Sequence, residues 1–217
     1  MSRLLRLLYP SCCKICGADL PSGTYILCRD CLEKGDYWMT ERFSILDTDG
    51  ADAPLVYQDF VRHAMHAYKF HYRRAYADWF AQLSGDCLSA YLDSWKPDLI
   101  TYVPLSFGRW MKRGYNQSAL AAQLIARRFD LPCERTLCKH ALVHTQSSMT
   151  HEQRAANIAG AFRLRPRAAV SGRRIVLVDD VITTGSTMSE CARVLHSAGA
   201  SAVFALGMTK TPLLRRE

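Results

Sequence analysis

The sequence predicts an α/β protein, a mostly parallel sheet flanked by helices, with a small metal-binding module at its N-terminus. Three observations lead there. Short apolar runs alternate with stretches of helical periodicity, as βαβ units require. Two Cys-x-x-Cys pairs stand in the first 31 positions. One apolar run leads into two adjacent aspartates, followed by a loop of hydroxyls around a single glycine.

The 217 residues suit one full-sized domain with an appendage, and 49% apolar with 22% charged residues is ordinary for a chain that buries a core. Collagen-like, disordered and membrane-spanning classes are excluded, since no apolar run approaches the roughly 18 residues a bilayer demands. The formal net charge is +8. Residues 1–50 carry a net of −1, whereas 104–174 hold 13 basic against three acidic side chains, a net of +10. Such a field attracts a polyanion, either nucleic acid or a phosphorylated small molecule. Nine cysteines cannot all pair within one chain, and five of them fall between Cys12 and Cys31. That clustering indicates metal binding in a reducing compartment, and a cytoplasmic location is expected. Arginines interrupt the apolar stretch of residues 1–10, which therefore reads as a short helix against the metal module and not as a signal peptide.

In chain order, residues 1–45 form the first module. Cys13-Lys-Ile-Cys16 and Cys28-Arg-Asp-Cys31 supply four thiolates on two tight turns, the ligand set of a closed structural Zn²⁺ site. Cys13 and not Cys12 preserves the two-residue gap, and Gly17 suits the turn after the first pair. With few large apolar residues, the module draws its folding free energy from the metal. Residues 47–54 read as a polar, turn-forming linker, and a second domain spans 52–217. His63, His66, Lys69, His71 and Arg73 lie among Tyr68, Phe70 and Tyr72 on a basic aromatic helix, which serves packing or a nucleic-acid surface. Tyr76, Trp79, Phe80, Leu83 and Cys87 mark the apolar face of a helix. Leu99–Val103 is a buried strand stopped by Pro104. Asn116–Phe129 is a helix with Leu120, Ala121, Leu124, Ile125 and Phe129 on one side. Between Leu137 and Ala159 the pattern lapses into a mobile loop. Ile175–Val178 and Ser201–Met208 are two further buried strands.

Chemistry concentrates in residues 174–190. A buried strand ends at Asp179 and Asp180; Thr183, Thr184, Gly185, Ser186 and Thr187 follow; then a helix begins, with Thr187 as N-cap, Glu190 completing a capping box, and Gly199 closing it. Free N–H groups at a helix start make an anion site, and Gly185 lets the backbone approach closely. Two carboxylates beside it would repel a phosphate but accept hydrogen bonds from a vicinal diol, or hold Mg²⁺ through water. A phosphate beside a diol is a ribose 5-phosphate. Neither a P-loop ending in Gly-Lys-Ser/Thr nor G-x-G-x-x-G occurs, and 37 residues after Asp180 are too few for a receiver domain.

Residues 178–187 resemble the phosphoribosyl pyrophosphate (PRPP) signature of type I phosphoribosyltransferases. The chain as a whole resembles the ComF (GntX-like) family of competence-associated proteins, which join an N-terminal zinc ribbon to such a domain. The likeness rests on the two Cys pairs, Val103-Pro104, Arg113-Gly-Tyr-Asn-Gln117, Thr145-Gln146, Arg154-x-x-Asn157, Phe162 and the PRPP loop. It implies a type I phosphoribosyltransferase-like sheet. It also implies that Asp179 and Asp180 contact ribose hydroxyls directly or through Mg²⁺, and that the stretch from Val181 through Thr183 to Thr187 cradles the 5-phosphate. Arg109, Lys112 and Arg113, in the loop after Pro104, would bind pyrophosphate. Gln146, Arg154 and Asn157 would lie on or below a flexible closing loop.

Two functions follow as expectations. One is PRPP-dependent glycosyl transfer to an acceptor that no residue identifies, through an oxocarbenium-like transition state with Mg²⁺ accompanying PRPP. The other is a non-catalytic module that senses PRPP or a nucleotide and binds single-stranded DNA during uptake, as the family association and the +10 segment suggest. No membrane insertion is expected.

Overall fold

The computed structural model describes residues 12–20, 26–70, 75–139 and 158–212. The expected α/β architecture is present. The strands are β1 (Gly50–Asp52), β2 (Leu55–Val56), β3 (Leu99–Tyr102), β4 (Leu137–Lys139), β5 (Phe162–Leu164), β6 (Arg174–Ile182) and β7 (Ala202–Lys210). The helices are α1 (Arg29–Lys34), α2 (Asp59–Phe70), α3 (Ala75–Ser89), α4 (Leu92–Trp95), α5 (Phe107–Arg113), α6 (Gln117–Arg128) and α7 (Ser186–Ser197). The main sheet runs β1-β7-β6-β3, with β2 also on β7, and every pairing in it is parallel. β4 and β5 form a separate antiparallel pair.

Strand period two divides the core. Val176, Val178, Phe204 and Leu206 face α2, α3 and α6, while Ile175, Leu177, Val203 and Ala205 face α7. Both faces are covered, which is why these strands read as continuous apolar runs. The predicted face of α3 is buried as expected, with Trp79 and Phe80 at its centre. On α6 the buried set is Gln117, Ser118, Ala121, Ala122, Ile125 and Ala126, so the face is turned from the expected one, and Leu120 and Leu124 are only half-buried. The reason is packing: α6 lies against both α3 and strands β3 and β6, and its small residues let it approach the strands closely.

Three local expectations need correction. The stretch read as a linker contains β1, whose Gly50, Ala51 and Asp52 register with Phe204, Ala205 and Leu206 of β7; a backbone ladder asks nothing of side-chain polarity, so the pattern concealed it. The stretch read as a loop from Leu137 begins with β4, paired residue by residue with β5; residues 140–157 of that stretch, like the expected helix at 1–10, lie outside the described residues. Third, the strand read over Ile175–Val178 extends further than its apolar part: β6 runs on through Asp179 and Asp180 to Ile182, held by the Val181–Thr209 and Ile182–Lys210 pairings with β7.

Candidate functional site

At the N-terminal module, backbone bonds from Cys13 N–H to Ala18 and from Gly17 N–H to Cys13 close the first turn, with Gly17 at φ +76°. Cys28 N-caps α1, its sulfur accepting from the Cys31 N–H. The ligand atoms of Cys13, Cys16, Cys28 and Cys31 all lie within 4.8 Å of one another. Cys16 and Cys28 sulfurs are 3.6 Å apart, close to the roughly 3.8 Å between sulfurs in a tetrahedral zinc site with bonds of about 2.3 Å. Burial raises the Cys13 thiol, but N–H groups of Cys16, Cys28 and Ile15 outweigh it and bring it down to about 6. Burial and three neighbouring sulfurs push Cys31 up to about 12. A donor set that resists a second negative charge by itself is what a divalent soft cation resolves, so the cluster fits zinc. Cys12 instead bridges to Asp19. Cys13, Leu27 and Tyr37 belong to the same core cluster as the sheet, so the module packs on the domain.

The second site sits at the carboxyl end of the sheet. Asp179 accepts from the Ser118 hydroxyl at 3.0 Å and from the Asp180 backbone N–H at 2.8 Å. Burial, and then the charge of Asp180, push its carboxyl up to about 7. Asp180 pairs with Lys69 at the end of α2, 2.8 Å from Nζ to Oδ1, with both side chains largely covered. Val181 is half-buried against the sheet core. Beyond it the chain turns through exposed Thr183 and Thr184, whose hydroxyl meets that of Ser186 at 2.8 Å. Lys210 Nζ donates to the Thr183 carbonyl at 2.9 Å and so fixes the loop from below.

The helix start differs from the expected capping box. Gly185 is the N-cap of α7, at φ +84° and without a side-chain cap, and Thr187 lies inside the first turn. Glu190 turns away from that turn: it accepts from the Gly160 N–H at 2.8 Å and from two guanidinium nitrogens of Arg193, Nε and Nη2, at 2.8 Å each. These hydrogen bonds, Arg193 first, hold its carboxyl below the usual range despite burial. A Cβ on Gly185 would meet Ile45 at 3.0 Å, so the glycine is required by backbone conformation and by space. At the start of α7 the Ser186 N–H donates to the Thr184 hydroxyl at 3.4 Å, while Gly185 itself supplies no side-chain cap; N–H groups in a first helical turn are where an anion is received. A cavity of about 230 Å³ adjoins this turn, lined by Ile45, Ile158, Thr184, Ser186 and Ser189 among others.

Arg109, Lys112 and Arg113 are not on a loop, as expected, but on α5, which Gly114 ends at φ +70°. Arg109 and Lys112 are exposed, and Arg113 is half-buried, its guanidinium 4.8 Å over the Phe70 ring. Burial lowers the Arg113 pKa, opposed by the charges of Asp180 and Asp179, so this cation reaches the carboxylates electrostatically. Beside α5 opens a cavity of about 480 Å³, lined by Tyr102, Pro104, Phe107, Trp110, Arg135 and Lys139 among others. Burial lowers the Lys139 pKa, with Arg109 adding to it and Asp179 opposing. Gln146, Arg154 and Asn157 lie outside the described residues. Sequence reading missed Lys69 as a partner of Asp180, and Arg135 and Lys139 as cavity cations; their segment is held alongside β3 by bonds from Ile100 N–H to Pro132, from Glu134 N–H to Ile100 and between the Thr101 and Thr136 hydroxyls.

Residues 116–212 match the phosphoribosyl transferase domain model, and that span includes β6, the hydroxyl turn and α7. Over those residues the chain is similar to phosphoribosyl transferase domains. The expected likeness to the ComF proteins is borne out by curated relatives. Competence protein F of Haemophilus influenzae is 35% identical over 116 residues, 52% of this chain and 51% of the relative. DNA utilization protein YhgH of Escherichia coli K12 is 41% identical over 110 residues, 49% and 47%. Competence protein ComFC of Bacillus subtilis is 28% identical over 194 residues, 88% and 73%. The chain spans about half the length of the first two. No helix among the described residues is long and apolar enough to cross a membrane.

Proposed function

We propose that the phosphoribosyl transferase-like domain binds PRPP at the carboxyl end of β6 and transfers its phosphoribosyl group to a nitrogenous acceptor. The observation that carries this reading is the adjacency of two unlike receptors: Asp179 and Asp180, suited to ribose hydroxyls, and the hydroxyl-rich turn leading into the start of α7, suited to the 5-phosphate. Arg109, Lys112 and Arg113 of α5, with Arg135 and Lys139 across the cavity, would neutralise the diphosphate. Mg²⁺ would accompany PRPP on its diphosphate oxygens and stabilise that leaving group. The chain's own work is to orient the ribose, to place cations where charge develops on the departing diphosphate, and to exclude water. Gln146, Arg154 and Asn157 complete this reading as residues of the closing segment.

PRPP titration by calorimetry tests it. The wild-type chain binds, and the Asp179→Asn/Asp180→Asn double variant loses binding by at least about tenfold. Pyrophosphate release with PRPP, Mg²⁺ and a panel of bases separates a transferase from a sensor: binding without any turnover overturns the catalytic half.

A second reading, single-stranded DNA binding in DNA uptake, has its own support. Phe107, Trp110 and Met111 are exposed on α5 beside Arg109 and Lys112, and the two rings stack with centroids 6.3 Å apart; aromatic platforms among cations suit unpaired bases. The names of the relatives point the same way. Binding to a labelled oligonucleotide should weaken steeply with salt, and absence of binding at low salt removes this reading.

A further inference from the structure

The carboxylate pair already holds a cation of the chain's own. Lys69 Nζ stands 2.8 Å from Asp180 Oδ1, with side-chain exposures of 15% and 13%. The lysine lies in the last turn of α2, which its two neighbours anchor. Tyr68, its neighbour, donates its hydroxyl to the Gln117 carbonyl at 3.0 Å, and Tyr115 donates to the Tyr68 carbonyl. On the other side Phe70 carries the Arg113 guanidinium on its ring at 4.8 Å. Three consecutive residues of α2 therefore tie together the start of α6, the end of α5 and the strand β6. Asp179, for its part, is satisfied by two neutral donors, Ser118 and the Asp180 N–H.

We propose that Lys69 supplies at Asp180 the positive charge that a divalent cation would otherwise bring, so that this carboxylate pair receives a ribose without a metal bridging it. A Mg²⁺ ion at the pair would have to displace an ammonium already paired at 2.8 Å on a side chain only 15% exposed, and two like charges at one carboxylate oxygen are strongly unfavourable at low local dielectric. Among the described residues the ammonium engages Asp180 through Oδ1, which leaves Oδ2 to accept from a sugar hydroxyl. Lys69 is thus a positioning and specificity residue: it selects the diol over the metal. The inference deepens the PRPP reading and rests on it for its ligand, but the metal preference of the pair is measurable without any sugar.

The test has two arms on the full chain. In the first, Mn²⁺ replaces Mg²⁺ and its free spin-resonance signal is followed without sugar phosphate. Wild type leaves the signal unchanged into the millimolar range. Lys69→Met gains a site, which Lys69→Met/Asp180→Asn loses again. A wild-type site abolished by Asp180→Asn, or no gain in Lys69→Met, overturns the proposal. In the second arm, ribose 5-phosphate, which lacks the diphosphate, is titrated with and without Mg²⁺. Wild type and Lys69→Arg bind equally in both. Lys69→Met loses about tenfold without the metal, the loss of one charge-assisted contact, and recovers when Mg²⁺ is added. A wild-type requirement for Mg²⁺ here overturns the proposal. Failure of both ribose 5-phosphate and PRPP to bind, with the first arm as expected, overturns the PRPP reading and leaves the Lys69 assignment standing on its metal result.

Discussion

The Ser118 hydroxyl donates to the Asp179 carboxylate at 3.0 Å, so the first turn of α6 reaches the strand that carries the candidate site. The bond favours the charged carboxylate, against burial and the Asp180 charge, which together raise the group from 3.8 to about 7. Between those values the folded chain retains a proton that the unfolded chain releases, so stability falls as pH rises through that window. In urea unfolding at a series of pH values, Asp179→Asn should flatten this fall and gain on the order of 1–2 kcal/mol at pH 8. Ser118→Ala should extend the fall to higher pH. A wild-type stability that rises from pH 4 to 7 while that of Asp179→Asn stays level would contradict the assignment.

The four-cysteine cluster is packed into the same core as the sheet, through Cys13, Leu27 and Tyr37. The purified chain should contain one zinc by elemental analysis. Cys13→Ser should lose it and melt at lower temperature, because structural zinc contributes folding free energy directly. Cys12→Ser should keep its zinc, since Cys12 stands apart in a bridge with Asp19.

Helix caps give a paired comparison. Asn116 accepts from the Ala119 N–H at 3.2 Å and donates to the Val103 carbonyl at 3.0 Å, joining the end of β3 to α6. Asn116→Ala should cost about 1–2 kcal/mol by chemical denaturation. Thr187→Ala, at a position the sequence alone marks as a cap, should cost less than about 0.5 kcal/mol.

Gly185 combines a left-handed backbone at φ +84° with a side chain of Ile45 3.0 Å from where a Cβ would lie. Gly185→Ala should destabilise by roughly 1–2 kcal/mol from the backbone alone. In an Ile45→Ala background, which removes both γ carbons that the new Cβ would meet at 3.0 and 3.1 Å, Gly185→Ala should lose only the steric part of its cost. Loss of the whole cost in that background would mean that the conformation carries none.

Two kinds of information separate cleanly in this chain. The run Ile175–Val178, the helical spacing from Tyr76 to Leu83 and the four cysteines are local patterns, and each was legible because burial on both sheet faces, a helix stripe and a tetrahedral ligand set impose a period or a spacing on residue type. The turn from Asp179 to Thr187 was legible for the same reason: its chemistry lies in consecutive residues. What the sequence could not contain is which distant residue answers each of them. Lys69 stands 111 positions from Asp180, Ser118 stands 61 from Asp179, and Ile45 reaches Gly185 across most of the chain. Strand β1 was hidden because backbone pairing leaves no mark on side-chain polarity. The sequence by itself determined the α/β class, the four-cysteine cluster and the hydroxyl-rich turn after the paired aspartates. Only the tertiary structure decided which charges meet there, because a charged side chain carries no period and finds its partner through the packing of elements remote in sequence.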